Sequence, residues 1–365
     1  MEAALCCFGW ARILWFAPPS GNTPKRRDAA AARTYNSLPY STTSPFDTPR
    51  KRQRAQTAPA ASTPTSTPQQ QVLPLPMGRP GLIGREYLLG AELGAGSFGV
   101  VRAAACLRTG EDVAVKQVLR SRVAKQNRLE AEVTLAASMR HPHIVKLYEV
   151  YADSSGMHLV MQHCSGGELY GCIASAPHGV EERLANRWVG QMLSAVGYLH
   201  SRSIIHRDLK PENFLFENTA PDAPLKLIDF GNSCYLESGA TLSKIVGTPM
   251  YIAPEVLAQS YDERADIWSM GVITYELLCG QNPFMARSVK VVFKRVRRGK
   301  PGFAEKRWSQ LHDAAVNFTK SLLTFNCLKR PHASEAMLHD WLSQPCDDAN
   351  RSYDAAIVSS RQRAF

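Results

Sequence analysis

Asp208, Lys210 and Asn213 stand close together in His206-Arg207-Asp208-Leu209-Lys210-Pro211-Glu212-Asn213, and Asp229 of Asp229-Phe230-Gly231 follows sixteen residues after Asn213. Carboxylates and an amide are hard oxygen donors of the kind Mg²⁺ accepts. A lysine beside a carboxylate can stabilise charge on a reacting oxygen. Upstream, Gly94-Ala95-Gly96-Ser97-Phe98-Gly99-Val100-Val101 spaces glycines so that backbone N–H groups can approach phosphate oxygens without an intervening Cβ. The same spacing serves dinucleotide sites, where it joins a strand to a helix. Here strand signals flank it on both sides, which favours a hairpin lying over phosphates. No GxxxxGK[ST] loop occurs in the chain. Lys116 closes the apolar run Val113-Ala114-Val115. An ammonium there needs an anionic partner; Glu132 on the next helical stretch is our choice and Glu130 the competitor.

Elements able to position these groups follow from the pattern. Short β-rich runs at 87–93, 100–105, 112–118, 145–151 and 158–162, bounded by glycines and polar turns, predict a small antiparallel sheet. A helical stretch at 124–139 interrupts them. After Gly167 the signal turns helical. In 182–200 apolar residues recur at 184, 188, 189, 192, 193, 196 and 199, one face of a 3.6-residue period. Residues 265–279 are apolar on nearly every side and end at Gly280, which predicts a fully buried helix with a glycine C-cap. Further helices are expected near 311–323 and 333–341. A β-rich lobe followed by an α-rich lobe leaves a cleft between them.

With these motifs in this order, the chain resembles the eukaryotic protein kinase superfamily over residues 87–342. The resemblance implies an α+β, bilobal protein kinase-like fold with a small β-rich N-lobe and a larger α-helical C-lobe. It implies ATP and Mg²⁺ as cofactors. Asp208 would accept the substrate hydroxyl's proton, Lys210 would stabilise the transferred group, and Asn213 and Asp229 would ligate the metal. ATP contacts fall on Leu93, Gly94, Gly96, Ser97, Gly99, Val101, Ala114, Lys116, Glu132, Met161, Gln162, Cys164, Glu168 and Leu215. Lys210 and Gly247-Thr248-Pro249 are similar to the Ser/Thr-specific branch, with Thr248 expected to reach Asp208 and Lys210. Glu255 of Ala253-Pro254-Glu255 would pair with Arg330, and Asp266 would bond the backbone of the 206–208 loop.

Within the superfamily, HRDLKPENFLF (206–216), LKLIDFG (225–231), GTPMYIAPEVL (247–257) and GGEL (166–169) most resemble the calcium-dependent kinases of plants, algae and protists. Glu168, Glu212 and Glu276 match positions that receive arginines upstream of the target hydroxyl in basophilic relatives. This implies protein substrates with Arg three residues before the acceptor. No D-x-[DN]-x-[DN]-G loop occurs, so calcium sensing is expected to be lost or supplied by a partner in trans. Residues 343–365 resemble the start of a junction helix. Two departures stand out: Gln162-His163 replaces an acidic–aromatic pair after the presumed gatekeeper Met161, and Asn232 follows Asp229-Phe230-Gly231 where Leu is common.

The net charge of +11 is concentrated in residues 1–85, which hold eleven Lys/Arg against three Asp/Glu. This Ala/Pro/Ser/Thr-rich stretch reads as a disordered tail. Its basic clusters, 25–27 and 50–54, lack interleaved aromatics, which argues against specific nucleic-acid recognition. They read equally as nuclear-import signals or solvated charge. The basic run 290–300 reads as a solvated helix face, with a docking surface as the alternative. Nine scattered cysteines without CxxC spacing suggest reduced thiols in an intracellular protein. No apolar run is long enough for a transmembrane span. A cytoplasmic or nuclear location is expected; anchoring through acylated Cys6 and Cys7 is the alternative.

Overall fold

The structure is a computed structural model that describes residues 79–80, 82–96, 99–119, 126–154, 156–304 and 306–343, all in one compact unit. The tail over 1–78, Ser97 and the junction-like segment 344–365 lie outside the described residues.

The first lobe is built on a six-stranded sheet. Its strands are β1 (Arg79–Pro80), β2 (Tyr87–Gly96), β3 (Gly99–Cys106), β4 (Asp112–Leu119), β5 (Leu147–Ala152) and β6 (Gly156–Gln162), in the order β1-β5-β6-β4-β3-β2. All neighbours pair antiparallel except β1, which runs parallel to β5. Helix α1 (Gln126–Ser138) belongs to this lobe. β-branched residues alternate inward: Val113 and Val115 join Ile83, Tyr87, Tyr151 and Val160 in one apolar cluster, and Val118 joins Val133, Leu147 and Leu159 on the other side of the sheet.

One boundary needs correction. Residues 79–85 were expected to belong to the tail, yet Arg79–Pro80 pair with Tyr151–Ala152 and Ile83 is buried in the sheet's core. A two-residue strand and a single buried isoleucine are too short to leave a periodic signal.

The second lobe contains α2 (Leu169–Ser175), α3 (Glu182–Ser201), β7 (Ile204–Ile205), β8 (Phe214–Phe216), β9 (Leu225–Leu227), β10 (Cys234–Tyr235), α4 (Pro254–Leu257), α5 (Arg264–Cys279), α6 (Val289–Arg298), α7 (Asp313–Leu322), α8 (Ala333–Ala336) and α9 (Asp340–Ser343). Helix α3 buries Leu184, Trp188, Val189, Met192, Leu193, Val196 and Leu199. At about 1.5–3 kcal/mol per large apolar side chain, this face outweighs any difference in helix propensity. Helix α5 is buried along fifteen of its sixteen residues and forms the axis of the lobe. It ends at Gly280, whose φ of 75° is left-handed. A Cβ there would also collide with the backbone of Ala176 and Pro177, so both conformation and space require glycine.

The helix expected over 333–341 is two short ones. The chain turns at 337–339, and the His339 ring accepts a hydrogen bond from Trp341 N at 3.2 Å to start α9. The turn brings Trp341 beneath α3, where its indole N–H donates to Glu182 at 3.1 Å.

Candidate active site

Two short hairpin ends carry the candidate metal ligands. In the β8–β9 pair Phe214 is opposite Leu227, so Asn213 and Asp229 emerge side by side from the same end, and Ile228 N donates to Asn213 O at 2.9 Å. The Asn213 amide nitrogen is committed to Asp208 O at 2.8 Å, so its oxygen is the atom offered to a cation. Asp229 sits at φ 62°, with Gly231 N donating to its Oδ1 at 3.3 Å. One carboxylate and one amide oxygen make too small a set for an all-protein cage. They suit Mg²⁺, which keeps waters and binds substrate phosphates beside one or two protein oxygens.

Lys116 reaches across from β4. Its ammonium lies 2.5 Å from Glu132 Oε1 and 3.8 Å from Asp229 Oδ1, so Glu132 on α1 is the partner on which the choice falls. Burial pushes the ammonium's pKa down, but the two carboxylates outweigh it and carry it up to about 12. Burial likewise pushes Asp229 up, and the Lys116 charge more than compensates, leaving the carboxyl below its ordinary value. Both groups therefore hold their charges at neutral pH.

Asp208 is 6 % exposed and gripped from three directions. Thr248 Oγ1 donates to its Oδ1 at 2.7 Å, Asn232 Nδ2 donates to its Oδ2 at 3.3 Å, and Lys210 Nζ stands 3.7 Å from Oδ2. The loop that carries it is held by Asp266 of α5, which is wholly buried. Asp266 accepts from His206 N and Arg207 N, both at 2.9 Å, and meets His200 Nε2 at 3.0 Å. Arg207 is itself left-handed at φ 67° and donates through Nε to Asn232 O at 2.6 Å. Glu255 and Arg330 pair through both terminal guanidinium nitrogens, with Nη2 to Oε2 at 3.2 Å.

Of the positions expected to meet a nucleotide, Gly94 pairs with Val101, Gly96 with Gly99, Val101 with Lys116, and Ala114 with Met161. These registers bring the glycine hairpin, the lysine strand and the hinge strand into one sheet face. Leu215 and Glu168 bridge to each other within the second lobe, and Leu93 is partly exposed at the hairpin. A Cβ at Gly99, which has φ 155°, would run into the Gln117 backbone. Cys164 is buried, and burial raises its thiol to about 12, so it is a packing residue of the hinge rather than a nucleophile.

The three acids Glu168, Glu212 and Glu276 do come together. Burial, and then the charge of Glu212, raise Glu168 to about 7. Burial raises Glu276 to about 8, with Glu212 adding to it and the Tyr251 hydroxyl, 2.9 Å away, opposing. Burial also raises Glu212, whose buried Oε2 has no hydrogen-bond partner among the described residues.

Sequence reasoning missed two contacts. The Gln162 side chain donates to Glu217 Oε1 at 2.5 Å, tying the hinge to the second lobe. Asn232 was singled out only as unusual, whereas its amide grips Asp208. No local pattern announces either contact, because each partner lies many residues away.

A two-lobed fold with this pocket is that of the protein kinase class. The chain belongs to the protein kinase family: the Protein kinase domain model matches residues 87–342. It is similar to "Calcium-dependent protein kinase 5" of Plasmodium falciparum (isolate 3D7), 38% identical over 253 residues, covering 69% of this chain and 44% of the relative. It is 36% identical over 311 residues to "Calcium-dependent protein kinase 2" of Oryza sativa subsp. japonica, covering 82% and 60%. "CDPK-related kinase 7" of Arabidopsis thaliana is 40% identical over 263 residues, covering 70% and 46%. The chain thus spans about half the length of these curated relatives.

Proposed function

We propose that the protein is a serine/threonine kinase that transfers the γ-phosphoryl group of ATP to protein hydroxyls, selecting sites with Arg three residues upstream. The observation that carries this reading is Asp208. It is a buried carboxylate oriented by Thr248 and Asn232, on the same loop as Lys210 and next to Asn213 and Asp229. Asp208 accepts and orients the incoming hydroxyl, Lys210 stabilises charge on the transferred group, and Lys116, fixed by Glu132, positions the phosphates. Asn213 and Asp229 would hold Mg²⁺ through their side-chain oxygens. The bound metal–nucleotide supplies the phosphoryl group and neutralises charge between the phosphates. The basic preference is supported by the unpartnered Oε2 of Glu212 between Glu168 and Glu276, an arrangement that a guanidinium would complete.

The likeness to relatives named as calcium-dependent kinases supports a calcium sensor acting on this chain in trans. The basic clusters at 25–27 and 50–54 support a nuclear or cytoplasmic location. Radiolabel transfer by the full chain to Arg-containing and Arg-lacking peptides, with calcium or with chelator, tests the reading. Asp208→Asn should abolish transfer while ATP binding survives. Wild-type chain that binds ATP but labels neither peptide would instead be a non-catalytic binding protein.

A further inference from the structure

Between Glu276 and Glu305 the chain carries no acidic residue but seven Lys/Arg, five of them within α6. All seven are exposed. Among the described residues, no carboxylate forms an ion pair with any of them. The apolar face of α6 is already used: Val292 and Val296 are buried in the second lobe's core. The outward face holds Lys290, Lys294, Arg297 and Arg298 at i, i+4, i+7 and i+8, a single cationic stripe roughly 12 Å long at 1.5 Å per residue.

The fold does not account for this stripe. Arginines in the last turn complement the helix dipole, but Lys290 in the first turn opposes it. Like charges at 290/294 and 294/298 also work against the helix. Val289 and Val291 flank the stripe on either side and are exposed, as is Met285 in the turn before the helix. The face is one convex helix, without a groove to grip a peptide strand and without aromatics on which bases could stack. A planar anionic surface matches its shape and charge, with long cationic side chains reaching the headgroups and small apolar ones at the boundary.

We propose that the outward face of α6 is a docking surface for a bilayer containing anionic phospholipid. The proposal does not depend on the kinase reading, because these side chains lie outside the site.

Co-sedimentation of the full chain with phosphatidylcholine vesicles, with and without about one-third phosphatidylserine, tests it. Wild type should partition preferentially onto the anionic vesicles. Each cation removed should weaken partitioning roughly 5-fold, so Lys290→Ala/Lys294→Ala/Arg297→Ala/Arg298→Ala should lose at least ~100-fold. That variant should keep the wild-type thermal midpoint. Should it not, the milder Lys290→Gln/Lys294→Gln pair, with an expected ~25-fold loss, replaces it. Because the N-terminal tail is also basic, a full chain with alanine at Lys25, Arg26, Arg27, Arg50, Lys51, Arg52 and Arg54 is compared. Substantial binding retained by this tail variant and lost by the α6 variant supports the proposal. The proposal is overturned by any of three results: no preference for anionic vesicles, α6-variant binding equal to wild type, or α6-dependent binding that is tighter to polyglutamate or RNA than to vesicles.

Discussion

Replacing Asp266 with alanine removes one acceptor group from three donors at once. The backbone N–H groups of His206 and Arg207 each point at a separate carboxylate oxygen at 2.9 Å, and the His200 ring meets one of them at 3.0 Å. The carboxylate is wholly buried in α5, so water has no ready route to replace it. A buried donor left unsatisfied costs about 1–3 kcal/mol, so the two backbone groups alone lose roughly 2–6 kcal/mol. For a domain of this size, about 2–4 °C of thermal midpoint goes with each kcal/mol, and the midpoint should fall by ~5–20 °C.

The effect carries a pH signature. Burial pushes the Asp266 carboxyl up, but the hydrogen bond and charge of His200 and the His206 N–H outweigh it and leave the group below its ordinary value. A depressed carboxyl stabilises the folded state above the ordinary aspartate range, near pH 4, and loses that contribution as pH falls through the folded value. Wild type and Asp266→Ala should therefore differ most at neutral pH and converge in acid. Thermal denaturation of the full chain followed by tryptophan fluorescence, at pH 7 and again near pH 3, reads both effects. A midpoint shift of less than about 3 °C at pH 7 would refute the idea that this carboxylate organises the loop carrying Asp208.

Thr248→Val removes the hydroxyl that donates to Asp208 Oδ1 while keeping the side-chain shape. A hydrogen bond to a charged group is worth about 1.5–3 kcal/mol, so kcat should fall roughly 10- to 100-fold, with Thr248→Ser close to wild type. An unchanged kcat in the valine variant would leave the hydroxyl without a role. Selection of Arg should also depend on pH. Glu168 and Glu276, raised to about 7 and about 8, are largely neutral at pH 6 and charged by pH 9. The ratio of kcat/KM for an Arg-containing peptide to that for its Ala counterpart should therefore rise over this interval. Glu276→Gln should flatten the rise, and a ratio that is already flat in wild type would exclude the carboxylates as readers of the arginine.

How much of this was legible depended on how local each feature is. The buried helix through Ala265–Cys279 could be read because apolar residues on every side and a terminal Gly280 are properties of one continuous stretch. The pairing of Lys116 with Glu132 was open between two acids, since sequence spacing alone does not orient a helix against a sheet; α1 turns Glu132 toward Lys116. Residues 79–85 were assigned to the tail because their contribution rests on two hydrogen-bonded residues and one buried Ile83, all closing on Tyr151 and its neighbours some seventy positions later. The bond from Asn232 to Asp208 spans 24 positions, and neither residue's immediate neighbours encode it.

Arg207 and Asp229 are both non-glycine residues in left-handed conformations, at φ 67° and 62°. Each costs about 1–2 kcal/mol relative to ordinary backbone, and a free loop would discard both. What holds them is hydrogen bonding from opposite sides of the same site. The Arg207 N–H is fixed on Asp266 and its guanidinium on Asn232 O, while the Asp229 carboxylate is fixed by Gly231 N and faces Lys116. Bonds to charged groups contribute about 1.5–3 kcal/mol each, enough to offset the strain at both positions. Asn232 joins the two halves, because its backbone oxygen anchors Arg207 while its side chain restrains Asp208. The strained geometry therefore persists only while α5 beneath and the lysine strand above are both in place. The orientation of Asp208 is thus a property of partners outside its own loop, Asp266 of α5 beneath it and Asn232 and Thr248 on its carboxylate.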